Sequence, residues 1–267
     1  MIESSHNPEV KRLIKLRRAR VRRSEGLFIV EGHREIQVGL RSGAIMEQGF
    51  FCRAFFGERP QNDLLNELQE HKIPMLEMTE GPFKKSSMRE NPDGLIVLAR
   101  TWESDLDSLR LGTPPLVVVV DAIEKPGNLG AVLRSAEAFG IDAILCVDPS
   151  LDLFNPNVLR ASQGLLFRVP AVVCGRENAL AFLRRHELRI HATSARADKI
   201  LWDANLGSPT AIVVGSEAKG LDSFWLEAAD ERVTIPMEGG ADSLNLSVAV
   251  GCLLAEARRQ RRDLGSP

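Results

Sequence analysis

Three segments of this chain set turn-forming glycines beside polar side chains able to hold or activate a ligand. The first is DAIEKPGNLGAVLRSAEAFG, residues 121–140. Gly127 and Gly130 allow a tight turn and close approach of a ligand to the backbone, Asn128 lies between them, and Arg134 follows one to two turns into a helix. The segment is not a dinucleotide fingerprint, because its glycines are three apart and Leu133 stands where the third is needed. Asp148, ending the next strand-like run, imitates a ribose-binding acid without repairing that pattern. The second segment, AIVVGSEAKGL at 211–221, brings Gly215, Ser216, Glu217 and Gly220 to the end of an apolar strand, and lacks the lysine and hydroxyl of a phosphate-binding P-loop. The third, VTIPMEGGADSLNLSVAVGCLLAEA at 233–257, has Gly239 and Gly240 in a loop, then Ser243, Asn245 and Ser247 interleaved with Leu244 and Leu246. Ser243 or Asn245 serves as a helix N-cap; capping alone does not call for all three polar residues.

Other chemistries find little to work with. The cysteines (Cys52, Cys146, Cys174, Cys252) form no C-x-x-C pair and read as buried free thiols, and the histidines show no metal-ligand spacing, so no metal is expected. The 267 residues are 44% hydrophobic and 26% charged, the balance of a globular protein. No apolar run is long enough to span a bilayer, and MIESSHNPEVKRLIKLRRARVRR has no apolar signal core, so the expected compartment is the cytoplasm. The net charge of −2 hides a local excess: Lys11, Arg12, Lys15, Arg17, Arg18, Arg20, Arg22 and Arg23 fall together with no acid among them. Such a stripe repels itself unless a polyanion relieves it, which points to RNA phosphates. Tyrosine is absent, leaving Phe51, Phe55, Phe56, Phe83 or Trp102 for any base stacking, although core packing accounts for most of these.

The elements that must position the three segments fall into two halves. Residues 1–102 alternate a basic helix (about 7–22), the strand LFIVEG, the helix HREIQVGLRSG, the strand CRAFFG, the helix NDLLNELQEHK, and the strands IPMLEM and GLIVLAR. FKKSSMRENPDG between the last two reads as an exposed loop facing RNA. Residues 103–115 form a polar, proline-ended linker. From 116 to 267, strand-like runs (LVVVVDAI, DAILCVD, VPAVVCG, LRIHATS, TAIVVGS, ERVTIP) alternate with helical ones (LGAVLRSAEAFG, VLRASQGLLF, ENALAFLRRHE) and end in a long helix, SLNLSVAVGCLLAEARRQRRD. The fold class is α/β, with a mostly parallel sheet covered by helices on both faces and a smaller α/β unit before it.

Asn128 with Arg134 (N-x-G-x-x-x-R), GSEAKGL, and IPM followed by SLNLSVA resemble, in order, the three motifs of the SpoU/TrmH branch of the SPOUT RNA methyltransferases. NPEVKRLIKL, FIVEG and DGLIVLA are similar to the L30e-like substrate-binding domain that several members carry. The resemblance implies a deep trefoil knot in the second half, against the general avoidance of knots. It implies S-adenosyl-L-methionine (SAM) held by Thr193, Gly215, Ile235, Met237, Ser243 and Leu244, and a homodimer joined through the second half. It further implies methyl transfer to a ribose 2′-hydroxyl by Arg134, Asn128, Glu217 and Asn245, with Lys11, Arg12, Lys15, Arg17, Arg18 and Arg160 on the RNA. Ribosomal RNA is the favoured substrate and transfer RNA the alternative. A nicotinamide-dependent oxidoreductase and a non-catalytic RNA-binding protein are the competing classes. The first conflicts with the broken glycine pattern, the second with the survival of all four polar residues.

Overall fold

The computed structural model describes residues 1–57, 59–197, 199–217 and 219–262. In chain order its first elements are α1 (Pro8–Leu16), α2 (Ala19–Glu25), β1 (Leu27–Glu31), α3 (His33–Arg41), β2 (Met46–Phe51), α4 (Arg59–Glu70), β3 (Met75–Glu77), α5 (Glu80–Ser86) and β4 (Leu95–Arg100). There follow β5 (Leu116–Asp121), α6 (Pro126–Phe139), β6 (Ala143–Val147), α7 (Pro156–Ala161), β7 (Ala171–Cys174), α8 (Arg176–Arg185), β8 (Arg189–Thr193), β9 (Lys199–Ile200), β10 (Thr210–Val214), α9 (Ser223–Ala228), β11 (Glu231–Thr234) and α10 (Leu246–Arg262). The chain divides into two units, one of residues 1–103 and 152–168, the other of the remainder.

In the first unit, described strands pair in the order β1-β4-β2-β3, with β4 antiparallel to both neighbours. The basic stretch forms two helices rather than one. Asn7 caps α1 by accepting from the Glu9 N–H, Pro8 occupies the first helical position, and the chain breaks at Arg17 and Arg18 before α2. Val10, Leu13 and Leu16 then share a buried face of α1 in one core with β1 and Phe83 of α5. FKKSSMRENPDG is therefore not a plain exposed loop: its first third lies in α5, and Phe83, Ser86 and Ser87 are buried. The strand expected at CRAFFG sits earlier, in β2, because residues 53–55 coil into a short turn leading toward α4.

Residues 152–168, which the sequence reading grouped with the second half, belong to this unit. Arg22 accounts for much of that. It is 2% exposed, forks onto Asp152 at 2.6 and 2.8 Å, and donates to the carbonyls of Leu16 and Arg17. Phe154 and Phe167 join Phe28 and Trp102 in an aromatic cluster with ring centroids 4.7–6.0 Å apart.

In the second unit the described strands run in the order β7-β6-β5-β10-β8-β11-β9, and every pairing is parallel. The unbroken apolar runs LVVVVD and TAIVV become β5 and β10, buried along their whole length. Val117, Val119, Ala211 and Val213 face one side, packing with Ala179, Phe182 and Leu183 of α8 and Trp225 of α9. Alternate residues face the other side, and α6 packs against α10. Gly140, at φ +60°, ends α6 in the left-handed conformation. Both β9 and α9 are additions to the expected elements. The closing helix starts at Leu246, so Ser243, Leu244 and Asn245 lie in the loop before it.

Candidate functional site

The carboxyl ends of β8, β10 and β11, neighbours in the sheet, open into a cleft of about 500 Å³. Ligands of open parallel sheets bind in such places. Its lining includes Thr193, Gly215, Ile235, Met237, Ser243 and Leu244, together with Ser216 and Glu217. Gly215 is required by shape. The loop after it turns back so closely, with the Gly220 N–H donating to the Ser216 carbonyl at 2.8 Å, that a Cβ on Gly215 would stand 2.2 Å from the Gly220 carbonyl. Thr193 braces the floor, its hydroxyl donating to the Val213 carbonyl at 3.0 Å. Met237 and Leu244 are 38% and 37% exposed, an unusual presentation of large apolar groups beside a cavity. A cleft of this size, with backbone walls and apolar rims, fits a nucleoside-bearing ligand such as SAM.

A second, smaller pocket of about 360 Å³ is lined by Ile123, Glu124, Lys125, Asn128, Ser216, Glu217 and Leu246. It shares Ser216, Glu217 and Leu246 with the first cleft. Asn245 ties the pocket together. Its Oδ1 accepts from the Ser247 N–H at 3.0 Å and the Ser247 hydroxyl at 2.6 Å, capping α10. Because a backbone N–H can only donate, this cap fixes which way the amide faces. The Asn245 Nδ2 is thereby aimed at Asn128 Oδ1, 3.3 Å away, and at Glu217 Oε1, 3.5 Å away. The other Glu217 oxygen accepts from the Lys125 ammonium. That hydrogen bond and the carboxylate charge raise the Lys125 pKa above its ordinary value.

Three residues singled out in sequence, Asn128, Glu217 and Asn245, thus meet in one pocket. Arg134 does not join them. It is exposed on α6, makes no hydrogen bond or ion pair with another described residue, and sits six residues past Asn128, about 120° around the helix. Neither Asn128 nor Glu217 contacts Arg134 among the described residues; Lys125, which sequence reasoning passed over, holds Glu217. A cation directly before an N1 proline, four residues past a buried strand, was the available signal. Nor do Gly127 and Gly130 form a tight turn, since both lie inside α6.

On the first unit, Lys11, Lys15 and Arg18 are exposed. Arg12 pairs with Glu25 at 2.8 Å, and Arg17 donates to the carbonyls of Lys85, Ser86 and Ser87. The folded stripe is less cationic than its sequence, because Glu25 and Asp152 reach it from outside the run. Arg160 is exposed on α7. Thiol chemistry has no footing at Cys146, whose burial pushes its pKa up to about 12.

Residues 115–255 match the family model of the SpoU rRNA Methylase family, and residues 7–97 match that of the MRM3-like substrate binding domain. The 23S rRNA (guanosine(2553)-2′-O)-methyltransferase RlmP of Bacillus subtilis is 28% identical across 96% of this chain and 98% of its own length. A crystal structure of an RNA 2′-O ribose methyltransferase superposes with a TM-score of 0.88 at 41% identity, covering 98% of this chain and 99% of that one. The SpoU methyltransferase AviRb from Streptomyces viridochromogenes, in complex with AdoMet, gives a TM-score of 0.87 at 26% identity, covering 96% of this chain and 100% of that one.

Proposed function

The chain belongs to the SpoU rRNA methylase family, and we propose that it transfers a methyl group from SAM to a ribose 2′-hydroxyl of ribosomal RNA. The observation that carries this reading is the shared wall between the two cavities: Ser216, Glu217 and Leu246 border both the nucleoside-sized cleft and the polar pocket. Bound in the cleft against Gly215, Ile235, Met237, Ser243 and Leu244, SAM supplies an electrophilic methyl carbon. The protein's part is to seat the ribose in the adjoining pocket and to deal with its hydroxyl proton. Asn245, its amide locked by the cap, donates toward the ribose, Asn128 orients it, and the Glu217 carboxylate is the acceptor facing it. A guanidinium keeps its proton throughout the working range of an enzyme and is a poor base, so Arg134 is assigned to an RNA phosphate.

The homodimer implied by the family resemblance gives Arg134 a place to act. Val248 is 51% exposed near the start of α10, the helix that packs on α6, and this face is our candidate interface. A second copy docked there could receive Arg134 at its own pocket. The trefoil knot belongs to the same reading, with the loops ending in Gly215, Ile235 and Leu244 forming it. Residues 1–102 together with 152–168 serve as the RNA-holding domain, with Lys11, Lys15 and Arg18 as free cations and Arg12, Arg17 and Arg160 in support; the stretch expected as a linker, 103–115, instead packs Leu106, Leu109 and Leu111 against the core of the methyltransferase domain. No helix of the described residues is long and apolar enough to cross a membrane; with ribosomal RNA as substrate, the cytoplasm is the place of work.

The test is transfer of tritiated methyl from SAM to bacterial RNA, with ribosomal and transfer fractions separated and ribosomal particles assayed alongside. Label recovered in nuclease-resistant dinucleotides of ribosomal RNA is the expected result. Label only in transfer RNA overturns the substrate class. No label in any fraction, without SAM binding, overturns the activity.

A further inference from the structure

Lys125 has no part in the motifs read from the sequence, yet it is the one cation lining the ribose pocket among the described residues. Its side chain is 68% exposed, and its partner is Glu217. With Lys125 on one carboxylate oxygen and the Asn245 amide facing the other, Glu217 is engaged at both oxygens. In that state its capacity to accept from a ribose hydroxyl is reduced. An exposed lysine–carboxylate pair adds little net stability, so a better anion can take the lysine away. RNA supplies one at every nucleotide, because the phosphodiester lies next to the ribose in the strand.

We propose that Lys125 is a further RNA-binding residue of this site, which leaves Glu217 for the phosphodiester beside the target ribose and so frees the Glu217 carboxylate only when RNA is seated. The inference rests on the methyltransferase reading for the identity of the ligand, but its test does not need turnover. Exchange makes a signed prediction that a fixed ion pair does not. Removing the lysine weakens RNA binding, whereas removing the carboxylate leaves the lysine available and strengthens it. If Lys125 merely pins the loop after β10, both substitutions break the same bond and push binding the same way.

The experiment measures binding of fluorescently labelled fragments of bacterial large-subunit ribosomal RNA to the full-length protein across a salt series. It compares wild type with Lys125→Gln, Lys125→Arg and Glu217→Gln. Lys125→Gln is expected to weaken binding about tenfold at low salt and to reduce the slope of log affinity against log salt by about 0.7, the share of one phosphate contact on a single strand. Lys125→Arg restores most of the affinity, and Glu217→Gln binds a few-fold tighter than wild type. SAM affinity of Lys125→Gln stays at the wild-type value, since Lys125 does not line the cofactor cleft; this also confirms that the variant is folded. Shifts of the same sign in Lys125→Gln and Glu217→Gln, or an unchanged salt slope in Lys125→Gln, overturn the proposal. Absence of methyl transfer by the wild type, with these binding signs intact, would overturn the methyltransferase reading and leave Lys125 as a phosphate contact.

Discussion

Gly215→Ala adds one carbon, and the geometry says what it does. The new Cβ would lie 2.2 Å from both the carbonyl carbon and oxygen of Gly220 and 2.4 Å from the nitrogen of Leu221. Carbon atoms in good contact stand about 3.5 Å apart, so the loop must open by more than about 1 Å. All three neighbours are backbone atoms, and no side-chain rotation relieves the overlap. The Ser216–Gly220 hydrogen bond at 2.8 Å is therefore lost and the wall carrying Ser216 and Glu217 moves. Overpacking of this kind costs about 1–3 kcal/mol, which the seven described strands can absorb with a fall in melting temperature of roughly 3–10 °C for a chain of this size. Where the same overlap of about 1–3 kcal/mol must be relieved against a seated ligand, binding weakens by about 10- to 100-fold, at about 1.4 kcal/mol per factor of ten. Isothermal titration should accordingly show SAM affinity about 10- to 100-fold weaker in Gly215→Ala. The comparator is Gly140→Ala, where only the Arg258 guanidinium stands near, at 3.6 Å, and the penalty is the left-handed φ of +60°, about 1–2 kcal/mol. Gly140→Ala should melt early and bind SAM normally. Wild-type SAM affinity in Gly215→Ala, or equal losses in both variants, would refute the assignment of this loop to the cofactor.

Arg134→Ala should abolish methyl transfer and leave SAM affinity nearly unchanged, because Arg134 lines neither cavity of its own chain. If it acts on a partner's pocket across a two-fold interface, mixing inactive Arg134→Ala with inactive Asn245→Ala should restore about a quarter of wild-type activity, from one intact site in half of the dimers; no recovery places Arg134 at its own site. His191 gives a pH prediction. Burial lowers its pKa to about 4, with nearby Glu231 opposing the shift, so between pH 4 and 6.5 the unfolded chain binds the proton and the folded chain does not. Stability should thus fall as pH drops through that window, by up to about 3 kcal/mol. Denaturant melts of His191→Leu, compared with wild type at matched pH, should show that loss removed; parallel curves would refute it.

What the sequence made legible was whatever depends on neighbours along the chain. Unbroken β-branched runs are buried strands, a glycine after an amphipathic run ends a helix, and three polar clusters after strands mark the working end of a sheet. What it concealed depends on contacts between distant residues. Lys125 and Glu217 are 92 positions apart, and Arg22 and Asp152 are 130 apart. The first pair supplies a pocket residue whose partner no local pattern marks. The second turns an apparent RNA-binding arginine into the staple that ties residues 152–168 to the first unit. The Glu–Gln–Gly centre of MEQGFF hid β2, since Glu and Gly are poor strand formers, and β9 is too short to carry a pattern.

The convergence of the three polar segments follows from sheet order rather than from any one motif. β10 is inserted between β5 and β8, although residues 122–209 separate it from β5 in the chain. That insertion sets the loop after β10 beside the turn that opens α6, bringing Glu217 to Asn128 and Lys125. β11 lies next to β8, so the loop leading into α10 returns over the same edge and delivers Asn245. Had the strands stacked in sequence order, β6 to β9 would separate the β10 loop from α6 and the two cavities could not share a wall. At a neighbour spacing of about 4.8 Å per strand, the order of the parallel strands decides whether a methyl donor and a ribose can meet at all, and the side chains decide only what happens once they do.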